Sequence, residues 1–234
     1  MKINVLCMCY NSQKFIKEVI ENWRRIGTVN IFIDIKTTDN TEMITRNLGI
    51  TPQFFTFKDF ASARNEILSK FPNGYRIFID DSYLFIGDPK AFVRELYSRG
   101  DEVISIKMVK DNIWFSYSKI TKGSVRYRDL VHEYVEKPAS YQIENGYIRE
   151  LSCKEHLIRT LNRIPWDLEI LFESYYKNRR NERAVFYICQ SLLNLYRFEF
   201  CSKRLVLYWL VQLKTMPGRY NHIGKFNYEQ VQKN

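Results

Sequence analysis

The residues in this sequence best suited to chemistry are polar side chains gathered where apolar runs stop. The run Tyr75–Ile79 ends in Asp80, Asp81 and Ser82. Adjacent carboxylates repel each other, and burying them unpaired is expensive, so a cation or solvent must meet them there. Arg64 and Asn65 stand upstream, in a short helical stretch. Tyr10 and Asn11 follow the first apolar run, and Asp34 with Thr37-Thr38-Asp39 follows the second. His132 lies in Val131-His132-Glu133. Its imidazole can ligate a metal, or it can be a hydrogen-bonded structural residue. Glu133 alternates to the opposite face of that segment and reads as a salt-bridge partner.

The elements that must position these groups alternate. Residues 2–9 (KINVLCMC) read as a strand, and Tyr10-Asn11-Ser12 as a turn and helix cap. Phe15, Ile16, Val19, Ile20 and Trp23 recur at helical spacing. Residues 30–36 form a second strand, 42–48 a helix, 51–57 a strand, 61–71 a helix and 75–79 a strand. This rhythm indicates an α/β layer with a mostly parallel sheet. In such sheets ligands sit at the carboxyl ends of the strands. Tyr10, Asn11, Asp34, Asp80 and Asp81 all fall there, so one crevice collects them.

After a helix over 90–98, the segments 102–109 and 112–120 are strand-like, and 125–138 and 145–151 complete the α/β part. From about Ser152 the period turns helical, with helices through Leu168–Tyr176, 184–195 and 202–214. The expected organisation is an α/β domain over 1–151 and a helical region over 152–234. An aromatic face runs along the latter, including Tyr175, Tyr176, Tyr208 and Trp209. It is read mainly as core, with carbohydrate stacking or a protein partner as alternatives.

Bulk properties narrow the classes. The 234 residues are 45% hydrophobic and 15% aromatic, which argues for a packed globular chain. No apolar run reaches the roughly 20 residues needed to cross a bilayer. Five cysteines without a CxxC pair fit a reducing, cytoplasmic compartment. Of the net charge of +10, residues 151–234 carry most, with 14 basic against 7 acidic side chains. Such an excess could serve an anionic membrane surface or an acidic substrate, or merely solvate a helix face. No zinc-finger, RNP or recognition-helix pattern supports nucleic acid.

In order and spacing, these segments resemble the nucleotide-sugar glycosyltransferases of the GT-A fold. The likeness is to the family-two branch whose catalytic domain precedes tetratricopeptide-like helices. That branch carries a "YNE"-like turn, here Tyr10-Asn11-Ser12, and "VDTGSTDGT", here Ile33 to Thr41. Its "DFSAARN" matches Asp59 to Asn65, its "LDADE" matches Ile79 to Tyr83, and its "VHE" is Val131-His132-Glu133. A "RAxFYLAQS" element matches Arg183 to Ser191. The resemblance runs from about residue 3 to 215.

The resemblance implies a GT-A, Rossmann-like domain that moves a sugar from a UDP- or dTDP-linked donor to an acceptor hydroxyl with inversion. The acceptor would be a glycan, a protein or a lipid-linked carrier, with peripheral membrane contact open. It implies Mn²⁺ or Mg²⁺, which would neutralise the diphosphate and stabilise the departing oxygens. Asp80, Asp81 and His132 would be the ligands, and Arg64 would meet a donor phosphate. Asp34 would accept from the base, and Tyr10 would stack on it or cover the sheet end. Ser82 replaces the family's second aspartate, so a catalytically inactive relative acting as a scaffold is the alternative. Asp111 is the favoured catalytic base, followed by Asp129.

Overall fold

The computed structural model describes residues 2–110, 113–217, 220 and 227–232, leaving aside the side chains of 155 and 156. The chain divides into two compact units, Met1–Ser152 and Cys153–Asn234. The first contains β1 (Ile3–Cys9), α1 (Ile16–Trp23), β2 (Thr28–Asp34), α2 (Thr41–Asn47), β3 (Gln53–Phe55), α3 (Phe60–Ser69) and β4 (Tyr75–Asp80). It continues with β5 (Tyr83–Ile86), α4 (Pro89–Ser98), β6 (Val103–Lys110), β7 (Ile113–Thr121), β8 (Tyr127–Arg128), β9 (Tyr134–Val135) and β10 (Tyr141–Glu150). The second unit holds α5 (Lys154–Lys177), α6 (Glu182–Arg197) and α7 (Lys203–Thr215).

Eight strands form one sheet in the order β3-β2-β1-β4-β7-β6-β10-β5. Pairing is parallel from β3 through β4 and between β6 and β10, and antiparallel at β4–β7, β6–β7 and β5–β10. Alternation divides the core. Ile3, Val5, Cys7 and Cys9 face one layer with α1 and α4, whereas Leu6 faces the other with Ala63, Ile67 and Tyr127. Cys7 and Cys9 therefore lie buried on one face as small hydrophobes, their sulfurs 3.6 Å apart.

β5 is an element that the sequence pattern does not predict. Its apolar residues follow the Asp81-Ser82 turn directly, and it is held from the side by α1. Trp23 Nε1 donates to the Tyr83 carbonyl at 2.8 Å, and the Asn22 side chain exchanges hydrogen bonds with the Phe85 backbone at 2.8 and 3.0 Å. The other departure is α5, which begins at Lys154, well before Leu168, and accommodates Pro165 inside it.

The far end of the sheet depends on one carboxylate. Glu95 on α4 accepts from Tyr141 Oη at 2.7 Å, from the Glu144 and Asn145 amides at 2.8 Å each, and from Asn145 Nδ2 at 2.9 Å. These hydrogen bonds outweigh its burial and lower its pKa. Replacing it by Gln should cost about 1 kcal/mol at neutral pH, because solvent screens much of what these hydrogen bonds to a charged group would otherwise contribute. A lowered carboxyl pKa stabilises above the unfolded value and is lost as pH falls through the folded one. Urea midpoints should therefore separate wild type from Glu95→Gln at pH 7 and converge below about pH 4.

Candidate active site

Three strand ends are stitched together at the carboxyl edge of the sheet. Asp80 closes β4 beside Met8 of β1, and the Asp81 carboxylate accepts a hydrogen bond from the Ser12 hydroxyl in the loop after β1. The Ser12 amide donates to Thr41 Oγ1 at 2.7 Å at the start of α2. Asn11, in a left-handed conformation (φ 49°), accepts from the Thr38 amide at 2.8 Å. Asp39 accepts from the Gln13 amide at 2.9 Å and from the Thr41 amide at 3.0 Å, capping α2. Asp34, buried at the end of β2, accepts from the Lys36 amide at 2.9 Å. Tyr10 is exposed at the same rim. The structure thus links Asn11, Asp34, Asp80 and Asp81 through neighbouring loops.

The cations that meet Asp80 are the protein's own. Arg64, on α3, is 2% exposed; its Nη2 lies 3.1 Å from Asp80 Oδ1 and its Nε 2.7 Å from Glu133 Oε1. Its guanidinium carbon sits 4.9 Å from the centre of the Phe78 ring and 5.5 Å from that of Tyr127. Cation–π contact on both rings holds the planar group while the carboxylates take its edges. Asn65 fixes the neighbouring backbone by exchanging hydrogen bonds with Tyr127 at 2.8 and 2.9 Å. Burial alone would depress the Arg64 pKa, but Glu133 and Asp80 raise it well above the usual value.

Lys119 was not singled out by the sequence, and its Nζ lies 3.9 Å from Asp80 Oδ1 with the side chain 2% exposed. A β-bulge puts it there. Ile104 pairs with Ile120 but Ile106 pairs with Tyr117, so β7 carries one extra residue at Ser118-Lys119. The ammonium lies 4.3 Å from the centre of the Tyr117 ring and 5.4 Å from that of Tyr83. Burial lowers its pKa to about 8, with Asp80 opposing. Burial acts to raise the Asp80 pKa, but Lys119, Arg64 and the Tyr83 hydroxyl together hold it well below the usual carboxylate range. Asp80 is 38% exposed, so one ionised carboxylate faces solvent from a paired base.

The remaining residues expected at the site are placed as follows. Glu133 forms the ion pair expected of it. His132 is not strand-borne: it occupies the turn between β8 and β9 at φ 51°, next to Glu133. A turn residue there satisfies the geometry that brings Glu133 back to Arg64. Asp129 is exposed at φ 67°, and Asp111 lies outside the described residues. Ser82 is fully buried, its hydroxyl without a hydrogen-bond partner among the described residues.

These groups do not form a ready-made metal cage. Asp81 is 7% exposed and bound to Ser12, and Asp80 is neutralised by two cations. Among the described residues no three His, Cys, Asp or Glu side chains are grouped to hold an ion. Asp80 is the one of these carboxylates that is partly open to solvent, at 38% exposure. No helix among the described residues is long and apolar enough to cross a membrane.

No family model and no curated protein matches the chain. Among solved structures it is similar to S. aureus TarS 1-349, with a TM-score of 0.52 and 12% identity over 100% of this chain and 90% of that one. A longer S. aureus TarS chain aligns at a TM-score of 0.48 and 15% identity, and this chain spans 55% of it. A putative glucose-1-phosphate thymidylyltransferase from Bacillus anthracis aligns at 0.38 and 12% identity over 69% of this chain. The fold is GT-A-like, a large mixed sheet flanked by helices and followed by C-terminal helices.

Proposed function

We propose that this chain is an inverting glycosyltransferase that takes a sugar from a UDP- or dTDP-linked donor held at the carboxyl ends of β1, β2 and β4. The observation that carries this reading is Asp80: a carboxylate kept ionised by Arg64 and Lys119, yet open to solvent at the rim of a GT-A-like sheet. Its role is to accept a hydrogen bond from the donor. It is ill-suited to proton abstraction, because an effective general base has a pKa near the working pH. Asp34 is the proposed acceptor for an N–H of the base, and Asn11 orders the loop over which Tyr10 stacks on it. Arg64 is a positioning residue here, since Asp80 and Glu133 occupy its fork. A divalent ion bound with the donor and Asp80 would neutralise the departing diphosphate. Asp111 stays the proposed base for the acceptor hydroxyl.

A second reading, a silent relative used as a scaffold, is favoured by Ser82. A buried hydroxyl stands where the resemblance expects a second carboxylate. Incubation with a panel of UDP- and dTDP-sugars separates the two. A transferase releases the nucleoside diphosphate, at least by slow transfer to water, and the sugar product seen by NMR has the opposite anomeric configuration. A scaffold leaves every donor intact.

A further inference from the structure

The helical unit contains a pocket of its own, about 340 Å³, between α5 and α7. Tyr175 and Tyr176 of α5, with Arg179 just beyond its end, form one wall, and Leu205, Tyr208 and Trp209 of α7 form the other. Tyr175 and Trp209 form a nearly buried floor, their ring centres 5.1 Å apart. Tyr176 and Tyr208 are 61% and 54% exposed. Large rings left in water around a concavity are the mark of a binding surface. They are not needed to close the core, which Leu168, Leu171, Ile188, Leu192, Val206 and Leu210 already fill.

We propose that this pocket binds an acidic glycan, a sugar ring stacked on the exposed Tyr208 and a carboxylate or phosphate substituent on Arg179. As an acceptor-holding site it rests on the glycosyltransferase reading; as a glycan site it does not. The charge is complementary: among the described residues Arg179 is the one charged residue lining the pocket, and Lys177 and Arg180 flank it, Lys177 paired with Glu173 at 3.4 Å. The Arg179 guanidinium carbon lies 4.8 Å from the centre of the Tyr175 ring and 4.5 Å from that of Tyr176. Stacking on two rings and a hydrogen bond to the Tyr175 side chain orient the guanidinium, so that its remaining N–H groups can meet an anion at little entropic cost. A peptide's aliphatic anchors would find one aliphatic side chain, Leu205, in the lining. Flat rings with hydroxyl edges, beside one fixed cation, match a sugar ring bearing an acid.

The test uses the full chain, with tetragalacturonate and maltotetraose as acidic and neutral probes, read by Trp209-dependent fluorescence and by calorimetry. The acidic probe should bind about tenfold or more tightly than the neutral one, and Arg179→Gln should remove that preference. Arg179→Lys should restore part of it, and Tyr208→Ala should weaken both probes. UDP titrations should be the same in wild type and Arg179→Gln. If UDP fails to bind while tetragalacturonate does, the transferase reading falls and the glycan site stands. Equal affinity for the two probes, or no binding of either at millimolar concentration, overturns the proposal. So does an Arg179-dependent preference for poly-aspartate or for phosphatidylserine vesicles over tetragalacturonate.

Discussion

Arg64→Ala should lower stability by about 3–5 kcal/mol, the range for removing one partner of a buried ion pair. The reason lies in what remains. Glu133 is 7% exposed, and without the guanidinium its charge stays buried while the Phe78 and Tyr127 rings lose their filling. Urea unfolding reads the effect as a shift in midpoint at unchanged slope. Arg64→Lys should recover only part, because a compact ammonium cannot span Asp80 and Glu133 with a fixed fork. Arg64→Met combined with Glu133→Gln should be milder than Arg64→Ala, since no carboxylate is then left buried and unpaired. Equal losses in the single and double variants would mean that packing, and not the ion pair, holds the β8–β9 turn to α3.

The second large effect is on binding. Asp80→Asn should weaken UDP-sugar affinity about tenfold to a hundredfold, corresponding to roughly 1.5–3 kcal/mol for a hydrogen bond to a charged group. The fold should survive better than in Arg64→Ala, because Asp80 is partly solvated. Its lowered pKa means the carboxylate is ionised at every ordinary pH. Donor affinity should therefore show no inflection near the usual carboxylate value of about 4. Calorimetry on both proteins between pH 4 and 8 reads both outcomes. An affinity unchanged by Asp80→Asn would remove Asp80 from the donor site.

Much of the first unit was legible because β1, β2 and β4 are mostly buried, largely apolar runs, interrupted by Asn4, Asn30 and Arg76, close to the pattern of a strand covered on both faces. The polar residues that end them could then be placed at one rim. Lys119 was not legible. In Ile113–Thr121 a lysine reads as a solvent-facing position, and only the bulge, a property of the pairing with β6, turns it beneath Asp80. Arg64 reads as a fork in the sequence, but not as one whose Nε and Nη2 are already engaged, because Glu133 returns to it from 69 positions away through a turn. His132 was mistaken for a strand residue because its flanking Val131 and Tyr134-Val135 are β-formers. The opening half of α5 hid behind Pro165, which usually ends a helix and here does not. The cation that the paired carboxylates demanded was thus in the sequence all along, split between Arg64 and Lys119.

The most direct measurement is calorimetric titration of UDP into the wild-type chain, with Mn²⁺ and then with EDTA. Binding is expected with Mn²⁺, weaker binding in EDTA, and no uptake of Mn²⁺ when UDP is left out, because the described residues offer no cage. Absence of binding for UDP, dTDP and GDP alike, with and without the metal, would contradict a donor site at the ends of β1, β2 and β4.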